Sequence, residues 1–350
     1  MADARSEESG ADPAIDVLIG VLPDIASGSI PLVAGSTDAH LGSALQTTGA
    51  HLALWTRRTG SDVTATAWPA HGAYTSAFVR MPKSKQELDF ILDAVASELA
   101  ADAPITVFGA NDEGIRSAGA RLDRFVEGVT TLDTRRHCRV ITGPRRAEIA
   151  GLRGHLADWR QVASIDLGAG PRPWIVYPGL FAHGRLDDGT RLLLTHLPTL
   201  APGAHVLDYA AGAGIIAAAV RERHATAQLD LIDSDALALM AARENVPDAR
   251  LVAGDRLRTL GAQRYDAILS NPPIHDGVAE NLVVLERLVA QAPAHLAIGG
   301  VLQFVVQRRV KVRPLLEAAF SAIEMLADDG RFTVWRARSA GRRVSRPSRP

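Results

Sequence analysis

The sequence has almost no cysteine and no long apolar run, and each shortage excludes a class of protein or site. Cys138 is the only cysteine in the 350 residues, so the chain can form no internal disulfide. The eleven histidines show no metal-ligand spacing with cysteine or carboxylates, which argues against a structural zinc site. No apolar stretch approaches the roughly 20 residues of a membrane span, so we expect an ordinary globular protein.

The first fourteen residues, MADARSEESGADPA, are acidic and polar and lack the basic start and apolar segment of a secretory signal. This composition predicts a disordered lead-in over 1–14 and a cytoplasmic protein. The chain of 350 residues is too long for one comfortable hydrophobic core, so we expect two domains.

Positive charge is concentrated near the C-terminal end. Residues 331–350 carry seven arginines and no acidic residue, and QRRVKVR at 307–313 contains four cations, although the net charge is −1. This distribution predicts a basic surface, with a basic tail over 339–350. A solvated tail without a ligand and a phosphate-binding surface both remain open.

Strand and helix patterns alternate through the second half of the chain. The strand patterns are HVLDYA (205–210), AQLDLID (227–233), ARLVAGD (249–255), YDAILS (265–270) and GGVLQFVVQ (299–307). Such alternation predicts a parallel sheet covered by helices on both faces, with ligands at the carboxyl ends of its strands. The last two patterns, SAIEMLA (321–327) and FTVWRAR (332–338), are joined by a turn containing Asp-Gly, which predicts a terminal antiparallel hairpin.

The turn after the first of these strands fits two ligands. Residues 212–217, GAGIIA, match G-x-G-x-x-A, and Asp233 follows about 20 residues on, as in a dinucleotide site for NAD. The competing ligand is S-adenosylmethionine, because its ammonium group favours a carboxylate such as Asp208, which would repel a pyrophosphate. Asp233 suits ribose hydroxyls in either case, and Asp255 could accept from an adenine amino group. Each carboxylate alone could also be a simple turn residue.

The fourth strand pattern runs directly into SNPPIHDG at 270–277. Two consecutive prolines fix the backbone after Asn271, so that its amide and the carbonyls of Asn271 and Pro272 point in one direction. We interpret this arrangement as a preformed polar clamp.

Together these motifs resemble a class I methyltransferase, and more narrowly the bacterial ribosomal RNA guanine-N2 methyltransferases, whose signature is Asn-Pro-Pro-aromatic-His-Asp-Gly. The likeness runs from Pro178 to Ala337 and includes GLFAHGRLDDGTRLLL (179–194), VLDYAAGAG, SNPPIHDG and DDGRFTVWRA. It implies an α/β fold with two methyltransferase-like domains, the second a Rossmann-like seven-stranded sheet that ends in an antiparallel hairpin. It also implies S-adenosylmethionine as cofactor and small-subunit ribosomal RNA, free or in the ribosomal subunit, as partner, with no metal.

The resemblance also assigns site residues. The implied catalytic residues are Asn271, Pro272, Pro273 and Ile274, and the implied cofactor-binding residues are Asp187, Thr190, Asp208, Ala210, Gly212, Gly214, Asp233, Asp255 and Asn271. The proton leaves only after methyl transfer, so no strong base is needed. A relay of this proton by His275 or Asp276 is one interpretation, and we favour the other, a pair that braces the loop.

The first half of the chain is similar to the N-terminal domain of the same family, through WPAHGAYTSAFVRMPKSKQELDFILDAVASEL, ITVFGANDEGIRSA and TLDTRRHCRV. It has no Asp before a Gly-x-Gly turn and no Asn-Pro-Pro. We therefore expect a degenerate methyltransferase-like domain over 15–170 that binds no cofactor and helps to place the RNA. The catalytic domain is expected over 171–338, with the boundary near the Gly- and Pro-rich AGPRPWIVYP (169–178).

The sequence departs from the family at two positions. Ile274 stands where an aromatic residue normally stacks on the base, which leaves weaker binding or another substrate open. Ala210 stands where glycine normally passes close to the cofactor, and a positive φ there would be strained. We favour an ordinary negative φ for Ala210, with its methyl group directed away from the cofactor. A methyltransferase for another planar amide, such as protein glutamine, and an RNA-binding protein without turnover remain alternatives.

The clamp leads to a first prediction, because a guanine amine is a poor nucleophile. Hydrogen bonds from its two N–H groups to the Asn271 side-chain oxygen and the Pro272 carbonyl would favour the reactive, pyramidal nitrogen. Asn271→Ala should therefore lower turnover severely and leave cofactor affinity nearly intact, because the clamp acts mainly in the transition state. Methylation kinetics and cofactor calorimetry provide the test, and unchanged turnover would discard the clamp.

Overall fold

The computed structural model of the protein describes residues 12–22, 28–60, 63–273 and 279–338. Ile274, His275 and Asp276, most of the expected lead-in and the basic tail lie outside these ranges. Contacts divide the chain into two compact units, one ending at Trp159 and the other beginning at Arg160, with Arg58–Gly60 belonging to the second. Within the described residues, no helix has both the length and the apolar character needed to cross a membrane.

The first unit is a sheet of six strands with helices. Its elements are α1 (Pro13–Ile19), β1 (Pro31–Ala34), α2 (Ala39–Thr47), β2 (Ala53–Trp55), β3 (Ser76–Arg80), α3 (Lys85–Ser97), β4 (Pro104–Ala110), α4 (Gly119–Leu122), β5 (Thr130–Arg135) and β6 (Cys138–Pro144). The strand order is β2-β1-β3-β4-β6-β5, in which the first four strands are parallel and β6 is antiparallel to both neighbours. Helix α1 begins inside the expected lead-in, because Asp12 caps it through the Ala14 amide and Pro13 suits its first turn.

The second unit contains the seven-stranded sheet. Its elements are β7 (Gln161–Asp166), β8 (Pro171–Val176), α5 (Asp188–Thr195), β9 (His205–Tyr209), α6 (Ile215–Arg223), β10 (Gln228–Asp233), α7 (Ala236–Asn245), β11 (Arg250–Ala253), β12 (Tyr265–Ser270), α8 (Ala279–His295), β13 (Leu296–Gln307), α9 (Arg313–Ala319), β14 (Ala322–Asp328) and β15 (Phe332–Arg338). The order is β11-β10-β9-β12-β13-β15-β14. The first five strands are parallel and β15 is antiparallel to β13 and β14, which confirms the predicted terminal hairpin.

Apolar side chains cover both faces of this sheet. One face packs against α5, α6, α7 and β8, through residues such as Leu193, Ile216 and the fully buried Trp174. The other packs against α8 and α9, through residues such as Leu285 and Leu316. The sheet is therefore doubly wound, and only the strand ends are left for a ligand.

The structure differs from the expected division at residue 170. Strands β7 and β8 pair antiparallel from Gln161 with Val176 to Asp166 with Pro171, and they form a separate two-stranded sheet in the second unit. The glycines that suggested a linker form the hairpin turn, in which the Asp166 carboxylate accepts from the amides of Gly168 and Gly170 at 2.8 and 3.1 Å. A ladder of hydrogen bonds thus joins the two sides of the expected boundary.

The two units share one topology. Without the edge strand β11, the order β10-β9-β12-β13-β15-β14 matches β2-β1-β3-β4-β6-β5, and it indicates an internal duplication. Arg80 is the last residue of β3, and Asn271 directly follows β12, the strand at the matching place in the order. The Arg80 guanidinium is bound by both Glu113 oxygens, at 2.6 and 2.8 Å, and by Asp12 at 2.8 Å. The end of β3 thus carries an ion cluster, whereas the chain after β12 carries an amide, and the absence of a cofactor in the first unit stays a prediction.

Candidate active site

The amide of Asn271 is held by the segment that precedes the first strand of the second sheet. Its Nδ2 donates to Asp187 Oδ1 at 3.2 Å and to Thr190 Oγ1 at 2.9 Å. Asp187 is also the N-cap of α5 and accepts from the Thr190 amide at 3.0 Å. Because Nδ2 is committed to these two acceptors, the side-chain oxygen of Asn271 is presented as a hydrogen-bond acceptor. Asp187 and Thr190 thus orient the clamp, a contact that the sequence did not indicate.

The strand ends beside the clamp are braced by polar groups that sequence reasoning missed. Ser270, which is fully buried, donates to the Tyr209 carbonyl at 2.7 Å and joins the ends of β9 and β12. The Tyr209 hydroxyl donates in turn to the Asp255 carbonyl at 2.7 Å. Pro272 is buried and Pro273 is exposed. A serine directly after the apolar residues Ala267, Ile268 and Leu269 was the available signal for this brace.

Asp208 is a buried carboxyl group with one oxygen that lacks a hydrogen-bond partner. The side chain is 1% exposed, and Oδ2 accepts from the Ala217 amide in the first turn of α6 at 3.0 Å. Oδ1 is buried and has no hydrogen-bond partner. The pKa of Asp208 is raised to about 8, mainly by burial and in smaller part by the nearby Asp233, against the opposing effect of the hydrogen bond from Ala217. A cationic ligand group would supply what this carboxyl group lacks.

Asp233 holds the turn that follows the first strand. Its Oδ2 accepts from the Gly212 amide at 2.7 Å and its Oδ1 from the Asp235 amide at 2.8 Å. Burial raises the pKa of Asp233 to about 6, against the opposing effect of these two hydrogen bonds. Each oxygen retains a second lone pair, so Asp233 can support the turn and still accept from a hydroxyl group.

The turn itself corrects the expectation for Ala210. Its φ is 56°, in the left-handed region, and Gly212 and Gly214 follow at 55° and 88°. The positive φ arises because the chain reverses sharply between β9 and α6 while the Ala211 amide stays bonded to the Ile232 carbonyl at 3.1 Å. Ala210 packs against the apolar cluster beneath the sheet. A Cβ at Gly212 would meet no atom within 4 Å, so the backbone faces open space there.

Asp255 is engaged by arginine side chains. Its Oδ2 accepts from Arg287 Nη1 of α8 at 2.7 Å, and Oδ1 lies 3.6 Å from Arg256 Nε. Contact with an adenine amino group stays a prediction for Asp255. The long sequence separation of Arg287 from Asp255 gave no local signal for this ion pair. Among the residues described by the structure, no group of His, Cys, Asp or Glu side chains could hold a metal ion.

Both halves of the chain match known protein families. Residues 174–336 match the family described as methyltransferase small domain, and residues 28–159 match the family described as methyltransferase small domain N-terminal. A ribosomal RNA small subunit methyltransferase C from Ectopseudomonas mendocina (strain ymp) is 36% identical over 271 residues, covering 76% of this chain and 80% of that protein. One from Stutzerimonas stutzeri (strain A1501) is 32% identical over 278 residues, covering 77% and 80%.

A solved structure shares the fold along nearly the whole chain. It is the T. thermophilus 16S rRNA N2 G1207 methyltransferase (RsmC) in complex with AdoMet and guanosine. It is 20% identical to this chain, with a TM-score of 0.83, and the alignment covers 95% of this chain and 93% of that one. At this level of identity the likeness establishes the architecture, and the two-domain arrangement of methyltransferase-like sheets is confirmed.

The strained turn predicts that Ala210→Gly stabilises the protein. Relief of a left-handed alanine should outweigh the added freedom of the unfolded chain by about 0.5 to 1 kcal/mol. Ala211 is the matched control, because it is buried and lies outside the left-handed region, so Ala211→Gly should destabilise the protein. Urea unfolding of both variants and the wild type measures the two effects. Destabilisation by both changes would show that the turn is unstrained.

The buried carboxyl group predicts a pH-dependent effect of Asp208→Asn. The pKa of Asp208 is raised from 3.8 to about 8, so the folded protein keeps a proton that the unfolded chain releases. The contribution of Asp208 to the free energy of unfolding therefore becomes more unfavourable as the pH rises from about 4 to about 8. Without cofactor, Asp208→Asn should melt above the wild type at about pH 9, and the gap should shrink towards about pH 5.

The same variant should bind S-adenosylmethionine at least about tenfold more weakly, because the partner for its ammonium group loses its charge. Calorimetry measures this affinity. Equal affinity of Asp208→Asn and wild type would remove Asp208 from the cofactor site, whatever the melting curves show.

Proposed function

The chain belongs to the ribosomal RNA small subunit methyltransferase C family, and from this we propose that its second unit methylates the exocyclic N2 amine of a guanine in small-subunit ribosomal RNA, with S-adenosylmethionine as the methyl donor. The observation that carries the proposal is the orientation of Asn271, whose amide hydrogens are bound by Asp187 and Thr190 while its oxygen is left to accept. Such an acceptor suits an amine and not a phosphate. A substrate of this kind is cytoplasmic in bacteria.

The residues at the strand ends fit the cofactor. Asp208 offers a buried carboxylate oxygen without a partner, which matches an ammonium group. Asp233 has lone pairs for ribose hydroxyls, and the open space at Gly212 lets a ligand approach the backbone. When bound, S-adenosylmethionine supplies an electrophilic methyl group. Asp187 Oδ2, which is buried without a hydrogen-bond partner, offers a further acceptor beside the clamp.

The clamp acts on the guanine amine. The Asn271 side-chain oxygen and the Pro272 carbonyl accept its two N–H hydrogens, which orients the nitrogen lone pair and favours the pyramidal geometry of the transition state. Bound S-adenosylmethionine would supply the methyl group to this nitrogen, and the extra proton that the methylated amine then carries would pass to water. Asp187 and Thr190 act through Asn271 as positioning residues.

Ribosomal RNA from cells that lack this protein provides the direct test. The purified protein should transfer a labelled methyl group to this RNA, and mass spectrometry of the digest should show N2-methylguanosine. RNA from cells that contain the protein should already be methylated and accept little label. Label in protein and not in RNA would instead support a methyltransferase for a planar amide, such as glutamine.

Two substitutions of Thr190 test whether its hydrogen bond with Asn271 contributes to turnover. Thr190→Val removes the hydroxyl that accepts from Asn271, and turnover should fall about 10- to 100-fold because the clamp is misplaced. Thr190→Ser keeps the hydroxyl and should stay within a few-fold of wild type. If Thr190 only positions Asn271, the KM for RNA and the cofactor affinity of Thr190→Val should hardly change. Equal turnover in the Val and Ser variants would exclude the hydrogen bond from the mechanism.

A further inference from the structure

A groove of about 630 Å³ lies at the carboxyl edge of the second sheet. It is lined by Gln307, Arg308 and Arg309 at the end of β13 and by Gly330, Arg331 and Phe332 at the turn between β14 and β15. The Arg308 amide donates to the Arg331 carbonyl at 2.8 Å, so the two sides are joined by backbone. Three of the six lining residues are arginines, which makes the groove a candidate site for an anion.

The groove and the clamp share the first turn of α5. Arg331 Nη1 donates to Asp188 Oδ2 at 2.8 Å, and a Cβ at Gly189 would lie 3.1 Å from the Phe332 ring. Asp188 and Gly189 stand between Asp187 and Thr190, the two residues that hold Asn271. The groove therefore contacts the same turn of α5 that holds Asn271.

The arginines are oriented but remain accessible. Arg308 Nε donates to Asp328 at 3.0 Å, and the Arg308 and Arg331 side chains are 61% and 73% exposed. A guanidinium has five N–H groups, so one carboxylate partner leaves donors for a phosphate, which arginine can bind in a bidentate manner. Asp329 faces the turn and accepts from the amides of Arg331 and Phe332, at 2.8 and 2.7 Å. These bonds hold the turn in shape before any ligand binds.

We propose that this groove binds a backbone phosphate of the RNA chain next to the methylated guanine, with Arg308 and Arg331 as the phosphate ligands. The assignment rests on the proposed function, and it selects phosphate binding for part of the basic stretch at 307–313. A base that is turned out of its stack must be held through its backbone as well as its edge. Arg308 and Arg331, in a groove that contacts the first turn of α5, meet this requirement.

The test is the affinity of wild type, Arg308→Gln and Arg331→Gln for small-subunit ribosomal RNA from cells that lack the protein, measured at several salt concentrations. Each variant should bind about 3- to 10-fold more weakly, and the slope of log affinity against log salt should fall by about 0.7 for each lost phosphate contact. The KM for RNA should rise in proportion. Arg243→Gln is the matched control, an exposed arginine on α7, and should match the wild type.

Two results would overturn the proposal. One is an RNA affinity and salt slope that stay at the wild-type values in both groove variants. The other is an equal loss of affinity for S-adenosylmethionine, because a phosphate site separate from the cofactor should leave that affinity unchanged. Failure of the proposed function would appear in a different assay, in which the wild-type protein transfers no methyl group to this RNA. The phosphate site in the groove is tested by RNA binding alone.

Discussion

Two hydrogen bonds from the Asn271 amide join segments that lie 84 and 81 residues apart in the chain, at Asp187 and Thr190. They attach the start of α5 to the end of β12, and through this attachment the clamp, the helix cap and the proposed phosphate groove form one continuous structure. Asp187 has a part in both sets of bonds, because the oxygen that caps α5 also accepts from Asn271. The position of the reactive amine, the cap of the helix and the edge of the groove therefore depend on the same few atoms.

The buried carboxyl groups at the strand ends lower the stability of the protein when no ligand is bound. Burial raises the pKa of Asp208 to about 8 and that of Asp233 to about 6, which means that the folded chain disfavours their charged forms. A fold selected for stability alone would place apolar side chains at such positions. The carboxyl groups become favourable only with a ligand that brings positive charge or hydroxyl donors, and the left-handed Ala210 adds strain to the same turn.

The duplicated topology shows that the same fold can carry different side chains at the ends of its strands. Both units arrange six strands in the same order, but the first has Arg80 bound to Glu113 and Asp12 at the end of β3, and the second has Asn271 directly after the matching strand β12. An arginine that is bound to two carboxylates offers no hydrogen-bond acceptor to an amine. The two units therefore share a fold, and the side chains at the carboxyl ends of their strands determine whether a site can form there.

Sequence patterns determined the sheet, its terminal hairpin and the residues at its carboxyl edge, because strand periodicity, turn chemistry and the Asn-Pro-Pro motif act over a few neighbouring residues. The expectation for Ala210 was wrong, because its φ is set by the reversal of the chain between two packed elements. The turn between β7 and β8 resembled a linker because glycine serves both purposes, and only strand pairing distinguishes them. The bonds of Asn271 to α5, of Ser270 to Tyr209 and of Arg287 to Asp255 were decided by tertiary structure alone, since each joins side chains that are distant in sequence and have no local pattern.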